Sequence, residues 1–126
     1  MKRTKTFSHY RLNLRLGMFS FLSHRITGLI LIIAGLIIIL SLSVIMLGRR
    51  TFEQMLVMIQ LPVFRVFAHI IVIALYWHVL NGIKILIIDL FKASRAHKVL
   101  TIIIIVIFIV GIVAYFVNVY PQLLPL

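Results

Sequence analysis

Three long apolar stretches separated by short basic segments set the pattern of this chain. The first, residues 18–47, contains a run from Gly28 onward of about 20 apolar or small residues, enough at 1.5 Å per residue to cross a ~30 Å hydrocarbon core. The second, residues 63–91, is equally long but carries Arg65, His69, His78, Lys84 and Asp89. The third, residues 99–120, is dominated by Ile, Val and Phe and has no charge, so it reads as packing and lipid contact. Between the first two lies an outer loop, residues 48–62, with an amphipathic helix over 51–60. Thr51 is its expected cap, Glu53 lies in its first turn, and Leu61-Pro62 ends it. Residues 1–17 form a basic interfacial segment that runs into the first span with no small-residue cleavage signal. Residues 92–98 form a basic inner loop, and 121–126 an uncharged outer tail. The expected fold is an all-α membrane protein with three transmembrane helices.

Composition removes the alternatives. A 126-residue chain that is 63% hydrophobic cannot cover that much apolar surface in water. With no cysteine, the chain offers no disulfide, thiolate zinc site, thiolate haem ligand or iron–sulfur ligand, so any metal chemistry must use histidine. The net charge of +11 would point to nucleic acid in a soluble protein. Here the cations crowd beside the spans, so phospholipid headgroups and an acidic protein partner are the expected counter-ions, and nucleic acid is not.

The cations also orient the chain. Lys2, Arg3, Lys5, Arg11, Arg15, Arg25, Lys84, Lys92, Arg95 and Lys98 fall on one side, and Arg49, Arg50 and Arg65 on the other. Ten against three puts the N-terminus inside, in bacterial or archaeal cytoplasm or the mitochondrial matrix.

Candidate chemistry begins in the second span. At about 100° per residue, Gly82, Ile85 and Asp89 lie within about 40° of His78 on one helical stripe. An ionisable group inside a span costs free energy and is seldom there without a task. A planar macrocycle bound edge-on needs a neutral imidazole as axial ligand and a small residue one turn along, which Gly82 supplies. The same spacing also fits a histidine that only hydrogen-bonds across a helix interface beside a glycine that lets helices approach. His69, nine residues earlier, is on the opposite face and cannot share a ligand with His78; a packed interfacial role is expected for it. If His78 binds a six-coordinate haem, the second axial ligand must come from another chain, because the first and third spans hold no deep histidine.

A second constellation opens the first span, from Ser20 to Gly28. Arg25 offers five donors suited to a carboxylate or a quinone carbonyl, His24 adds a donor or proton carrier, and Ser20, Ser23 and Thr27 add hydroxyls. With Asp89, these residues are expected to line one inner-leaflet pocket. Snorkelling anchors and helix-capping serines would look the same in isolation.

Two segments in order, Ser23-His24-Arg25-Ile26-Thr27-Gly28 and Tyr76-Trp77-His78-Val79-Leu80-Asn81-Gly82-Ile83-Lys84 followed by Asp89, resemble the cytochrome b membrane-anchor subunit family of succinate dehydrogenase. The resemblance covers roughly residues 15–92. It implies a helical anchor, part of a multi-subunit bundle, beneath a flavoprotein and an iron–sulfur subunit, with electrons from succinate reaching a quinone. By position it implies that His78 is an axial ligand of haem b, the other coming from a second membrane-anchor subunit. It also implies that His24 and Arg25 lie near the haem propionates and the quinone headgroup and that Asp89 is the acidic residue at the inner end; from the residues themselves, Gly82 is expected to give the ring its gap and Ser20, Ser23, Arg25 and Asp89 to be quinone contacts. There are departures. Many members place a serine where this chain has Phe21, some place a histidine where it has Ile85, and two-haem relatives need a further deep histidine on the first span. One haem b is the expectation. The other readings are a haem-free structural anchor and the corresponding subunit of a fumarate reductase. No residue here looks like a nucleophile or flavin site, so alone the chain is expected to catalyse nothing.

Overall fold

A computed structural model describes the backbone of residues 3–92 and 94–121, with side chains from Arg15 onward except Ala93 and Ser94. Residues 1, 2, 93 and 122–126, which include part of the expected N-terminal segment, inner loop and tail, lie outside the described residues. Helix α1 runs Arg3–Ser43, α2 Arg49–Ile59, α3 Pro62–Phe91 and α4 His97–Val119, and no strand occurs among the described residues. Three segments have the length and composition to cross a bilayer: Arg15–Leu47 with 33 residues, Pro62–Phe91 with 30 and His97–Val119 with 23. At 1.5 Å per residue even the shortest reaches about 35 Å. The protein is an all-α membrane protein, as an apolar solvent demands, because a helix satisfies its backbone hydrogen bonds within itself.

Local chemistry explains where the helices stop. Near the end of α1, Ser41 Oγ donates to Ile37 O at 2.8 Å and Ser43 Oγ to Ile39 O at 3.0 Å, so both hydroxyls are satisfied inside the helix. A 3-10 turn, Val44–Leu47, leads to Gly48 at φ 109° and ψ 168°, a region essentially confined to glycine. The chain therefore turns at Gly48, α2 begins at Arg49, and Thr51 lies inside the helix instead of capping it. Gly48→Ala is expected to destabilise the protein by about 1–3 kcal/mol, read as a lower melting temperature of the detergent-solubilised protein. Arg49 Nε donates to Glu53 Oε1 at 2.8 Å, but both side chains are exposed, so the pair contributes at most about 0.5 kcal/mol. Pro62 opens α3, where its missing N–H removes nothing.

At the other end the polar boundary expected at residue 17 is not structural. Helix α1 continues without interruption from Arg3, because helical hydrogen bonding is local and no proline or positive-φ residue breaks it there.

The chain divides into two compact units, residues 1–24 with 77–126, and residues 25–76. In the first, the contacts of α1 with α3 and of α3 with α4 run antiparallel. Trp77 meets Phe19 at 6.2 Å and Phe108 at 4.9 Å, both edge-to-face. The burial pattern is that of a membrane protein. Among the described residues the buried apolar side chains are only Ala34, Ala74 and Ile104, and long aliphatic ones face outward, Ile32 being 71% exposed. The buried polar side chains are Ser20, Asn81, Lys84 and Thr101, all in the first unit.

Candidate functional site

Two adjoining clusters occupy the first unit, both built from the start of the first span against the C-terminal half of α3. In the upper cluster, the rings of His24 and His78 stack with centroids 4.0 Å apart and 11° between planes. His78 Nδ1 lies 3.2 Å from the backbone carbonyl of His24. A carbonyl oxygen can only accept, so Nδ1 carries a proton, and in the neutral ring the lone pair is then on Nε2. This is the arrangement by which a backbone carbonyl fixes the tautomer of a ligating histidine. A Cβ added at Gly82 would meet His24 Cε1 at 3.5 Å, an ordinary van der Waals contact. Nothing this chain packs there requires glycine.

One turn further toward the C-terminus of α3, Ser20, Asn81 and Lys84 form a closed polar network inside the span, with Asn81 and Lys84 each only 1% exposed. Asn81 Nδ2 donates to Ser20 O at 2.7 Å, and Ser20 Oγ donates to Asn81 Oδ1 at 2.6 Å. Lys84 Nζ donates in turn to Ser20 Oγ. Lys84 is seven residues from the end of α3, about 10 Å, and its ammonium is held inside instead of snorkelling outward. Among the described residues it forms no ion pair.

Beside Lys84 opens a pocket of about 230 Å³. Gly17, Ser20 and Phe21 of α1, Lys84, Ile85, Ile88 and Asp89 of α3, and His97 of α4 line it. That volume suits a single substituted ring and lies below the about 300–1,000 Å³ typical of sites that enclose a whole ligand. Ile85, Ile88 and Phe21 supply apolar walls; Lys84, Asp89, Ser20 and His97 supply the polar groups. Ammonium and carboxylate together leave the pocket near neutral in formal charge.

Several residues singled out from the sequence therefore come together. His24, His78 and Gly82 meet in the upper cluster, and Ser20 and Asp89 line the pocket. Ser23 Oγ donates to Ser20 O at 3.1 Å within its own helix. Arg25, the next residue after His24, is exposed and belongs to the second unit, as does the half-buried His69. Sequence reasoning passed over Asn81, Lys84 and His97. For Lys84 the sequence does carry a signal, a lysine well inside a span. His97, at the start of α4, gave none that singles it out. Among the described residues no three His, Cys, Asp or Glu side chains converge as a metal cage. A metal bound here would have to bring most of its own ligands.

No characterised protein and no solved structure matches the chain significantly. Residues 1–114 do match a family of membrane subunits, over all three apolar helices but for the last turns of the third. The chain belongs to the succinate dehydrogenase/fumarate reductase transmembrane subunit family.

Proposed function

We propose that this chain is the cytochrome b membrane anchor of a succinate:quinone oxidoreductase, holding one haem b and contributing to the quinone site. The observation that carries the reading is the His78 imidazole, pinned through Nδ1 to the His24 carbonyl, so that in the neutral ring the lone pair is on Nε2. His78 of this chain and one histidine of a second membrane-anchor subunit would together hold the haem iron. His24 and Arg25 are the proposed contacts of the propionates, and Gly82 the gap beside the ring. When bound, haem b supplies a one-electron redox centre next to the quinone site.

The quinone is the substrate. Succinate gives up two electrons and two protons to become fumarate. The electrons pass through the flavoprotein and iron–sulfur subunits, and the quinone takes up two electrons and two protons to become quinol. The pocket lined by Ser20 and Asp89 is the proposed seat of the headgroup, with Ser23 and Arg25 as further contacts. In this reading the N-terminus is inside, and the cations on that side other than the buried Lys84 dock the extrinsic subunits and phospholipid.

A reduced-minus-oxidised optical spectrum of the complex purified through this chain, with succinate–quinone reductase activity on the same sample, tests the proposal. A b-type α-band together with that activity is the expected result. Activity without the band would leave a haem-free anchor, and absence of both would sink the reading.

One observation favours the haem-free alternative: the His78 ring is already stacked on His24, which also sits over Gly82. Gly82→Ala separates the two. The added methyl makes only ordinary contact with His24, so complex stability is expected to stay within about 0.5 kcal/mol. If a haem edge lies over Gly82, the same variant loses or weakens the α-band.

A further inference from the structure

The Ser20 hydroxyl has one proton, and its neighbours decide where that proton goes. The Asn81 amide donates from Nδ2 to the Ser20 carbonyl, which can only accept, so Oδ1 must be the atom that faces Ser20 Oγ. An amide oxygen carries no hydrogen, so the serine proton is committed to Asn81 at 2.6 Å. Lys84 donates to the lone pair on the other side of the same oxygen. Ser20 therefore lines the pocket as an acceptor with its donor capacity used up. The ammonium of Lys84 has three N–H groups, of which Ser20 takes one. Lys84 as a residue is 99% buried and lines the pocket, and its ammonium makes no further hydrogen bond among the described residues.

We infer that Lys84, and not Ser20, donates the hydrogen bond that holds the oxygen of the pocket's ligand, with Ser20 and Asn81 as positioning residues that keep the ammonium at the wall. The ligand class follows from the remaining lining. Asp89 shares the pocket, so a dicarboxylate would meet a carboxylate of its own sign, whereas a neutral ketone oxygen accepts from Lys84 without that repulsion. Phe21, Ile85 and Ile88 then cover an apolar ring. The inference rests on the quinone reading and adds to it the group that grips the carbonyl. It also accounts for a lysine retained inside a span without an ion pair: its partner is the substrate oxygen.

The test is steady-state kinetics of the intact complex with a short-chain benzoquinone, alongside reduction of a soluble phenazinium dye that reports on the flavin and iron–sulfur subunits. Lys84→Met is expected to raise the quinone KM about 10–100-fold, the range for losing a hydrogen bond from a charged donor, with kcat much less affected and dye reduction unchanged. Ser20→Ala alone raises KM severalfold by loosening Lys84, and in the Lys84→Met background it adds nothing. A merely structural role would not produce that non-additivity in KM. If Lys84→Met does not assemble, Lys84→Gln, which keeps a neutral donor, takes its place and is expected to raise KM about 3–10-fold. Quinone KM unchanged in the lysine variant, or an equal loss from Ser20→Ala in both backgrounds, overturns the assignment to Lys84 while the quinone reading stands. A wild-type complex that reduces the dye but no quinone overturns the quinone reading itself.

Discussion

If the complex holds the proposed haem b, replacing His78 with alanine is expected to abolish its α-band, while His69→Ala leaves it in place. The two histidines lie nine residues apart on α3, and about 900° of helical rotation puts them on opposite faces. The Nδ1 of His78 lies on the His24 carbonyl, which holds the ring still and would turn Nε2 toward the proposed haem. Loss of the proposed ligand would remove a coordinate bond, so the expected change is loss of the band and not a small shift. The cavity left by alanine adjoins the stacked His24 ring, and free imidazole added to the variant is expected to restore part of the signal. Retention of a full α-band in His78→Ala would assign the haem, if present, to other ligands and leave His78 as a stacking partner of His24.

Helix number was legible in the sequence because a span is specified by one-dimensional quantities, length and apolarity, which residues 28–47 and 99–120 display openly. Boundaries were less so. Composition changes near residue 17, but a helix already started has no reason to stop where its side chains become polar, and α1 reaches back to Arg3. Thr51 looked like a cap because threonine often is one; a glycine three residues earlier takes a conformation that threonine rarely adopts, and the turn goes there. The site divides in the same way. A stripe argument on one helix relates His78, Gly82 and Asp89, since it needs only the pitch. It is silent on which α1 residues face that stripe, because the rotation of one helix about another is set by packing. The His24–His78 stack and the entry of His97 into the pocket are of that second kind. Asn81 and Lys84 lie about 60° and 120° off the stripe, on the side that α1 covers, so attention to the stripe alone led past them.

The buried network yields a prediction as large as that for His78, and it turns on one atom. Asn81→Asp keeps the size of the side chain but removes its donor and adds a charge. The carboxylate no longer donates to the Ser20 carbonyl, and it places an anion within one turn of Lys84 on the same helix. In a medium of low polarity the two are strongly attracted, so the ammonium is drawn from Ser20 and the pocket wall toward residue 81. Quinone KM in the intact complex is expected to rise about 10-fold or more, with dye reduction unchanged. Asn81→Leu should behave differently. It loses both hydrogen bonds to Ser20, which between them stabilise a membrane helix pair by about 1–2 kcal/mol, and it lowers the melting temperature of the solubilised complex. Lys84 can still donate to Ser20 Oγ, so quinone KM should change only a few-fold. The aspartate variant thus strikes substrate binding and the leucine variant strikes stability. If leucine raised KM as much as aspartate did, the network would be acting as packing alone, and the position of the Lys84 ammonium would not be what the pocket depends on.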